Sequence, residues 1–309
     1  MNLISVVVPS YNEQESLSMF YNEITKIAEL MQDEAEFEFL FIDDGSKDKT
    51  LYILKEMSNN DKRVHYISFS RNFGKEAAIY AGLKNARGNY VVVMDADLQH
   101  PPKFIPEMYK YVVEQGYDCA STRRISRKGE GKLRSFCSSM FYKVINKISQ
   151  VEIVEGAQDY RFMARYMVDS ILEIKEYNRF SKGIFSWVGY STKYIEYENV
   201  ERIAGETKWS FWKLFMYSLE GIFAFSTAPL AIASFTGILF CIIAFVMMIV
   251  FTLKTIIFGD PVPGFPTIIC VIFLIGGIQL FCTGIMGQYF SKMYLEVKNR
   301  PIYIEKEKK

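Results

Sequence analysis

Apolar runs alternate with amphipathic stretches along the first half of the chain. Continuous apolar runs predict buried strands at 3–8, 37–42, 64–69 and 90–94, and a further strand is predicted at 117–122. Helical spacing of apolar residues predicts helices at about 13–31, 48–58 and 75–86, and another after Pro102 to about Gln115. This alternation is typical of an α/β fold with a mostly parallel sheet covered by helices on both faces.

The second half contains two long stretches without charge. No Asp, Glu, Lys or Arg occurs from Gly221 to Leu253 or from Pro261 to Ser291. A membrane-spanning helix needs about 20 apolar residues, so each stretch is long enough for one. We predict transmembrane helices at about Ala228–Leu253 and Pro266–Phe290, joined by a turn at 254–266. The alternative is a buried helical hairpin of a soluble protein, which rarely lacks charge over such lengths.

Basic residues flank these stretches unevenly. They precede the first span and follow the second, at Lys208, Lys213, Lys292, Lys298 and Arg300. The intervening loop carries only Lys254. Because basic residues concentrate on the cytosolic side, both termini are expected there, in an integral membrane protein. The N-terminus lacks the charged region of a signal peptide.

The hydropathy pattern therefore predicts four segments. A cytosolic α/β domain occupies 1–205, and an amphipathic juxtamembrane helix occupies 206–227. A two-helix transmembrane anchor follows at 228–291, and a cytosolic tail occupies 292–309. Within the first domain, the stretch 133–148 has the pattern of a helix that lies in the membrane interface or packs on the core.

Composition disfavours several function classes. Lys and Arg number 36 and Asp and Glu 35, so no global field draws the chain to nucleic acid. The five cysteines form no CxxC pair, which favours packing roles. With two histidines, a histidine-based zinc site or a Ser-His-Asp triad is poorly supported. His100 is expected on a surface turn, without a role.

Polar motifs follow the predicted strands. The strands end, in order, in PSYNE (9–13), DDGS (43–46), SRNFGKE (70–76) and DADLQ (95–99). Ligands of parallel α/β sheets bind beyond the carboxyl ends of the strands, so these motifs would line one site. The absence of a P-loop and of a GxGxxG motif disfavours an ATPase and a dinucleotide oxidoreductase.

The DADLQ motif indicates a metal. On extended backbone Asp95 and Asp97 point the same way, with Gln99 next in line. Carboxylate and amide oxygens suit Mg²⁺ or Mn²⁺. Such an ion is usually completed by substrate phosphates, which points to a nucleoside diphosphate. The alternative is a solvated turn with helix-capping aspartates.

The DDGS motif allows two interpretations. In the first, Asp43 or Asp44 accepts a hydrogen bond from a nucleobase N–H while Tyr11 stacks on the base. In the second, the motif is an Asx turn that caps the next helix.

Four ordered motifs resemble one enzyme family. VVVPSYNEQESL, FIDDGSKDKT, SFSRNFGKEAAIYAGL and VVVMDADLQHPP are similar to family 2 glycosyltransferases, which have a GT-A fold. The resemblance extends to RFSKGIFSWVGY (179–190), GETKWSFWKL (205–214) and the two predicted spans. It is stronger to the polyisoprenyl-phosphate sugar transferases, which include dolichol-phosphate mannose synthases and bactoprenol (undecaprenyl-phosphate) glucosyltransferases.

The resemblance implies donor-side and catalytic roles. Pro9, Tyr11 and Glu13 match a motif that contacts the nucleoside, and Asp44 matches the position that reads the base. Asp95, Asp97 and Gln99 match the metal and diphosphate motif. Asp159 matches an aspartate proposed as the base in bacterial relatives, although a salt bridge to Arg161 or another neighbour is the alternative.

The resemblance also implies a lipid acceptor. Arg123 and Arg134, with Ser138 one turn after the second, match positions that contact the lipid phosphate in mannose synthases. Lys208 matches a lysine near the phosphates, and a simple interfacial lysine is its alternative.

The implied reaction moves a hexose from a nucleotide sugar to undecaprenyl phosphate with inversion. UDP-glucose is favoured as the donor, with UDP-N-acetylglucosamine close behind, and Mg²⁺ or Mn²⁺ is the cofactor. A glycan-extending family 2 transferase would want a QxxRW motif, which is absent. A non-catalytic membrane scaffold is a further alternative. Two spans offer little packing to a lone protomer, which suggests a homo-oligomer.

Overall fold

The computed structural model describes residues 1–124, 154–197, 226–258 and 264–309, together with residues 143, 146, 147 and 222. The predicted interfacial helix at 133–148 and most of the juxtamembrane helix at 206–227 lie outside the described residues. Arg134, Ser138 and Lys208 therefore stay predictions.

Strands and helices alternate in the first part of the chain, as the hydropathy pattern predicts. The elements are β1 (Asn2–Ser10), α1 (Leu17–Leu30), β2 (Ala35–Asp43), α2 (Thr50–Asn60), β3 (Val64–Phe69), α3 (Lys75–Asn85) and β4 (Tyr90–Val93). A helical segment follows, which is 3-10 at Pro102–Phe104, α at Ile105–Tyr109 (α4) and π at Lys110–Glu114. The predicted helices are thus all present, although α1 begins four residues later than expected.

The rest of the described chain completes one sheet and adds two long helices. The elements are β5 (Cys119–Arg124), β6 (Ala157–Ala164), α5 (Arg165–Glu173), α6 (Ser181–Trp187), β7 (Thr192–Tyr197), α7 (Ala228–Phe258), α8 (Phe265–Val297) and β8 (Glu305–Lys308). The strand order is β7-β5-β6-β4-β1-β2-β3-β8. The four central strands, β4, β1, β2 and β3, are mutually parallel, whereas β6 and β8 run antiparallel to their neighbours.

The central strands are apolar throughout because both faces of the sheet are covered. Ile4, Val6 and Val8 of β1 pack into the core below α1 and α2, while Val7 packs into the opposite core with α3. At Gly82 of α3, a Cβ atom would lie 2.1 Å from Val7 Cγ1. The close approach of α3 to β1 therefore requires glycine there. The predicted mostly parallel α/β sheet is confirmed.

The strand order creates a crevice between β1 and β4. The sheet continues from β1 through β2 and β3 on one side and through β4 on the other. Connections that leave a central strand toward opposite sides open a cleft beyond its carboxyl end, which is where α/β sheets bind ligands. The residues after β1, β2, β3 and β4 surround this cleft.

Helices α7 and α8 form an antiparallel hairpin. The Tyr289 hydroxyl donates to the Ser226 carbonyl oxygen over 2.6 Å, and Cys282 Sγ lies 3.5 Å from the Ala233 carbonyl oxygen. Helix α7 continues to Phe258, so Lys254 is helical and the predicted turn at 254–266 is shorter than expected. The end of α8 is held by Glu296, whose carboxylate accepts the Tyr177 N–H over 3.0 Å.

Among the described residues, one helical stretch is long and apolar enough to cross a membrane. It is Ala228–Met247, with a mean hydropathy of 2.6 and 6% of its window buried in the protein. Helix α8 has 33 residues and carries no charge before Lys292. The two-span anchor stays a prediction.

The C-terminal strand β8 belongs to the same sheet as β1. Strand β8 pairs antiparallel with β3, with Ile67 opposite Lys308. Just before it, the Tyr303 ring stacks on Phe69 at 4.8 Å between centroids. Glu307 forms an ion pair of 2.7 Å with Lys55. This return strand covers the edge that β3 would otherwise expose.

Candidate active site

The two carboxylates at the end of β2 are bound by the protein itself. Asp43 Oδ1 accepts the Ser46 N–H over 3.0 Å, and its Oδ2 accepts the Ser68 hydroxyl over 2.7 Å. The bond to Ser46 closes a turn after β2, but it does not cap α2, whose N-cap is Lys49 without a side-chain cap. Asp43 is 1% exposed, and its predicted contact with a nucleotide stays a prediction.

Asp44 supports the next loop in the same way. Its carboxylate accepts the Phe73 N–H over 2.6 Å and the Gly74 N–H over 2.9 Å. Burial raises the pKa of Asp44 to about 6, although these two N–H groups oppose the shift. Asp44 thus fixes the loop that leads into α3, and its predicted contact with a base stays a prediction.

The loops after β1 and β2 are tied together. The Asn12 N–H donates to Ser46 Oγ over 3.0 Å, and the Glu13 N–H donates to Thr50 Oγ1 over 2.8 Å. These bonds hold Tyr11, which is partly exposed, at the mouth of the cleft. Pro9 is the penultimate residue of β1. The structure therefore brings the predicted nucleoside motif beside the DDGS turn.

The DADLQ segment is a turn, and the expectation of extended backbone through Gln99 is wrong. Strand β4 ends at Val93, Ala96 and Asp97 lie in a turn, and Leu98 has a φ of 56°. Asp97 Oδ1 accepts the Gln99 N–H over 3.1 Å. The turn forms because the chain must reverse after β4 before the two prolines begin the next helix.

One lysine joins the acidic residues of two strands. Lys75, the first residue of α3, places its Nζ 2.8 Å from Asp95 Oδ1 and 2.9 Å from Asp95 Oδ2. The same nitrogen lies 2.9 Å from Asp159 Oδ2, on β6. Partial burial would lower the pKa of Lys75, but the two carboxylates raise it well above its usual range. Lys75 lies in the NFGKE stretch after β3, where the sequence alone assigns it no role.

Asp159 is held as an anion. Burial would raise its pKa, but the charges of Lys75, Lys182 and Arg161 outweigh burial and hold the pKa far below its ordinary range. The partner in its salt bridge is Lys75 rather than Arg161. A carboxylate so strongly stabilised as an anion is a weak proton acceptor, which favours a positioning role for Asp159.

His100 is buried, and the expectation of a surface histidine is wrong. It is 5% exposed, and its ring stacks on Tyr160 at 5.6 Å between centroids. Its Nδ1 lies 3.8 Å from Asp95 Oδ2 and has no hydrogen-bond partner among the described residues. Burial lowers the pKa of His100, so the ring is neutral at pH 7. No periodicity in the sequence marks this packing, because Tyr160 comes from a distant strand.

Glu76 connects α3 to α6 beside the acidic cluster. It accepts the Ser181 N–H over 2.9 Å and the Ser181 hydroxyl. Burial raises the pKa of Glu76 to about 7, and the charge of Asp159 adds to this shift. The bond brings the start of the RFSKGIFSWVGY motif, including Lys182, toward Asp159. The sequence offers one sign of this role, which is that Glu76 belongs to the polar motif after the third strand.

The donor set at the end of β4 fits a hard divalent cation in part. Asp95 and Asp97 both act electrostatically on His100 and on Tyr197, so the two carboxylates lie near the same two side chains. Within the described part of the chain, no three His, Cys, Asp or Glu side chains are grouped as a metal site. Two carboxylates with the Gln99 amide are oxygen donors that suit Mg²⁺ or Mn²⁺, provided water or phosphate completes the shell.

Arg123 lies at the far end of β5. Its Nε donates to the Glu155 carbonyl oxygen over 3.0 Å, and its guanidinium lies 3.7 Å from Glu196. The Arg123 side chain is 41% exposed. It is accessible to an anionic ligand, and its predicted contact with a lipid phosphate stays a prediction.

Comparison with known proteins identifies the family. The family model described as glycosyl transferase family 2 matches residues 5–172. The protein CsbB of Bacillus subtilis (strain 168) is 44% identical over 99% of this chain and 92% of its own. A prophage bactoprenol glucosyl transferase homolog of Escherichia coli (strain K12) is 42% identical over 99% of both chains. An SfII prophage-derived bactoprenol glucosyl transferase of Shigella flexneri is 41% identical over 98% of this chain and 97% of its own.

These matches agree with the Rossmann-like sheet and with the acidic residues at its ligand-binding edge. The family model spans the sheet from within β1 to within α5, which includes Asp44, Asp95 and Asp159. The protein is a glycosyltransferase with a GT-A type fold, and the chain belongs to glycosyltransferase family 2.

Proposed function

We propose that the protein transfers a hexose from a nucleotide sugar to undecaprenyl phosphate, with inversion at the anomeric carbon. One observation carries the proposal. The acidic cluster of a family 2 domain shares a chain with a long apolar hairpin, and Glu296 joins the two. A water-soluble donor needs no such hairpin, whereas a lipid acceptor does.

The names of the relatives support a lipid acceptor. Two relatives align over nearly their whole length, one named a bactoprenol glucosyl transferase and the other a homolog of that enzyme. On that basis we favour UDP-glucose as the donor, with UDP-N-acetylglucosamine next. Either donor would place its nucleoside near Pro9, Tyr11, Glu13 and Asp44 and its diphosphate near Asp95.

The reaction needs little help with proton transfer. An oxygen of the lipid phosphate attacks the anomeric carbon, the bond from that carbon to the diphosphate oxygen breaks, and the nucleoside diphosphate leaves. A phosphate monoester has a second pKa of about 6, so the nucleophile is largely dianionic at neutral pH. The low pKa of Asp159 is consistent with this chemistry. Asp159 would orient Lys75 and the reacting groups rather than remove a proton.

Asp95, Asp97 and Gln99 would hold Mg²⁺ or Mn²⁺. When bound, such a cation neutralises negative charge on the leaving diphosphate. The residues of the chain would meanwhile position the donor, exclude water from the cleft and keep Asp159 ionised.

The proposed acceptor site lies toward the membrane. We place α7 and α8 across the bilayer, with the α/β domain and both termini on the cytosolic side. At a rise of 1.5 Å per residue, helices of 31 and 33 residues measure about 46 and 50 Å, which exceeds the ~30 Å hydrocarbon core. Arg123, Arg134, Ser138 and Lys208 are the proposed contacts of the lipid phosphate.

The test is a transfer assay with the purified full-length protein. It combines undecaprenyl phosphate, a panel of sugar nucleotides and Mg²⁺ or Mn²⁺, and the extracted lipid is analysed by mass spectrometry. We expect one hexosyl undecaprenyl phosphate, formed only with the divalent cation. Sugar on a glycan primer but not on lipid would favour the glycan-extending alternative, and no transfer with any donor would favour a scaffold.

A further inference from the structure

Lys75 occupies the place that a cation bound to Asp95 would need. Its Nζ contacts both oxygens of Asp95, at 2.8 and 2.9 Å, and one oxygen of Asp159 at 2.9 Å. A divalent ion that binds Asp95 must compete for the same two oxygens. The ammonium group supplies positive charge between two facing carboxylates, which would otherwise repel each other.

The lysine can leave Asp95 without leaving the site. Its side chain is 43% exposed, whereas those of Asp95 and Asp159 are 26% and 18% exposed. A lysine is a point charge on a flexible stem and makes no bidentate fork with a carboxylate. Asp159 holds the same Nζ independently, so release of Asp95 would leave Lys75 paired.

The neighbouring residues do not replace this charge at Asp95. His100 lies 3.8 Å from Asp95 Oδ2, and its Nδ1 has no hydrogen-bond partner among the described residues. In the described part of the chain, no lysine or arginine other than Lys75 forms an ion pair with Asp95. Lys75 therefore links the proposed metal side of the cleft to the proposed acceptor side.

We propose that Lys75 is a resident counter-ion that makes metal binding depend on the sugar-nucleotide donor. In the free protein it bridges Asp95 and Asp159 and offsets part of their combined charge. When a divalent cation arrives with a nucleoside diphosphate, Lys75 releases Asp95, stays on Asp159 and keeps that carboxylate fixed and ionised. The assignment rests on the proposed function, because it assumes that the Asp95 end of the cleft takes the metal.

The experiment measures Mn²⁺ binding to the full-length protein by electron paramagnetic resonance, with and without UDP. Removal of a positive charge about 5 Å from a divalent ion should tighten its binding by roughly tenfold. We expect Lys75→Gln to bind Mn²⁺ alone about tenfold more tightly than the parent and to gain less from added UDP. With sugar donor and lipid acceptor, the same variant should lose about 10²-fold in turnover.

Two further variants serve as controls. Lys75→Arg keeps the charge and should leave the affinity for Mn²⁺ alone within about twofold of the parent. Lys84→Gln removes a charge from an exposed position of the same helix and should change neither binding nor turnover. If Lys75→Gln fails to fold, the charge-balanced variant Lys75→Gln/Asp159→Asn replaces it, with Asp159→Asn as its reference.

The outcomes separate this assignment from the proposed function. If the parent binds Mn²⁺ more tightly with UDP and Lys75→Gln binds Mn²⁺ alone no more tightly than the parent, the role of Lys75 is wrong and the metal site stands. If the parent binds no Mn²⁺ even with UDP, both the metal site and the role of Lys75 are wrong. Lipid glycosylation in the transfer assay is scored separately from either result.

Discussion

Two pairs of acidic residues at the same edge of the sheet have different partners. After β2, Asp43 and Asp44 accept hydrogen bonds from backbone N–H groups and from the Ser68 hydroxyl, and both are at most 3% exposed. Across the cleft, Asp95 and Asp159 are bridged by Lys75, whose side chain is 43% exposed. The first pair is bound by groups fixed in the fold, and the second by a side chain that can move.

The type of partner distinguishes structural aspartates from ligand-accessible ones better than the sequence motifs do. DDGS and DADLQ look alike as sequence, since each places two aspartates after an apolar strand. A backbone N–H cannot leave its acceptor without unfolding the loop, so Asp43 and Asp44 shape the cleft. A lysine can be displaced by a stronger cation, so Asp95 remains available to a ligand. Of the two pairs, Asp95 and Asp159 are therefore the one with an exposed and exchangeable partner.

The largest expected effect is on catalysis at the end of β4. Asp97→Ala should lower turnover in the lipid assay by about 10²–10³-fold, because the charge that develops on the leaving diphosphate loses a cation ligand. Asp33→Ala, at an exposed position between α1 and β2, is the matched control and should keep full turnover. Lipid glycosylation by Asp97→Ala at the parental rate would contradict the proposed site.

The next effect is on stability at the end of β2. Asp43→Ala leaves the Ser46 N–H and the buried Ser68 hydroxyl without their acceptor, which should lower the free energy of unfolding by about 1–3 kcal/mol. Asp97→Ala should change it by less than about 0.5 kcal/mol. Urea unfolding in detergent, followed by circular dichroism, compares the two variants. Equal decreases in the free energy of unfolding would contradict the structural role assigned to Asp43.

The smallest expected effect concerns Glu76, which shares features with both pairs of acidic residues. It neighbours Lys75 in sequence, but Ser181 holds it through a backbone N–H and a hydroxyl. Burial raises the pKa of Glu76 to about 7 from its ordinary value of 4.5, so between these pH values the folded protein keeps a proton that the unfolded chain has lost. Stability should therefore fall as the pH rises from about 4.5 to 7, and the penalty should be complete above that window.

Glu76→Gln removes this titration. Between pH 5 and pH 7, the free energy of unfolding should fall less in the variant than in the parent, by on the order of 1 kcal/mol. Unfolding measured at each pH gives this difference. Glu23→Gln, on an exposed side chain of α1, is the control and should follow the parent. A pH dependence that is unchanged in Glu76→Gln would show that Glu76 ionises normally in the folded protein.

Much of the fold was predictable because it follows from local pattern. The apolar run 64–69 coincides with β3, and the run 3–8 lies within β1. The gathering of PSYNE, DDGS, NFGKE and DADLQ at one edge follows from parallel strands alone. The two charge-free stretches are likewise long helices, as their composition predicts.

Three features could not be predicted because each depends on contacts between residues distant in sequence. His100 is buried because Tyr160 of β6 packs on its ring. The role of Lys75 appears only when β4 and β6 place Asp95 and Asp159 on either side of it. Strand β8 has the sequence EKEK, which carries no apolar alternation, and it forms because β3 offers an unpaired edge. Local propensity does not report such tertiary contacts.

Strand β8 also limits how the chain can thread through a bilayer. Strands β1 and β8 belong to the same sheet, and a sheet lies on one side of a membrane. The polypeptide between Tyr197 and Glu305 must therefore cross an even number of times, whatever path it follows. If the hairpin crossed the membrane only once, the last residues would lie on the opposite side from β3. The edge of β3 would then remain unpaired. Under the proposed two-span topology, β8 can pair with β3 only after both long helices have been synthesised and inserted.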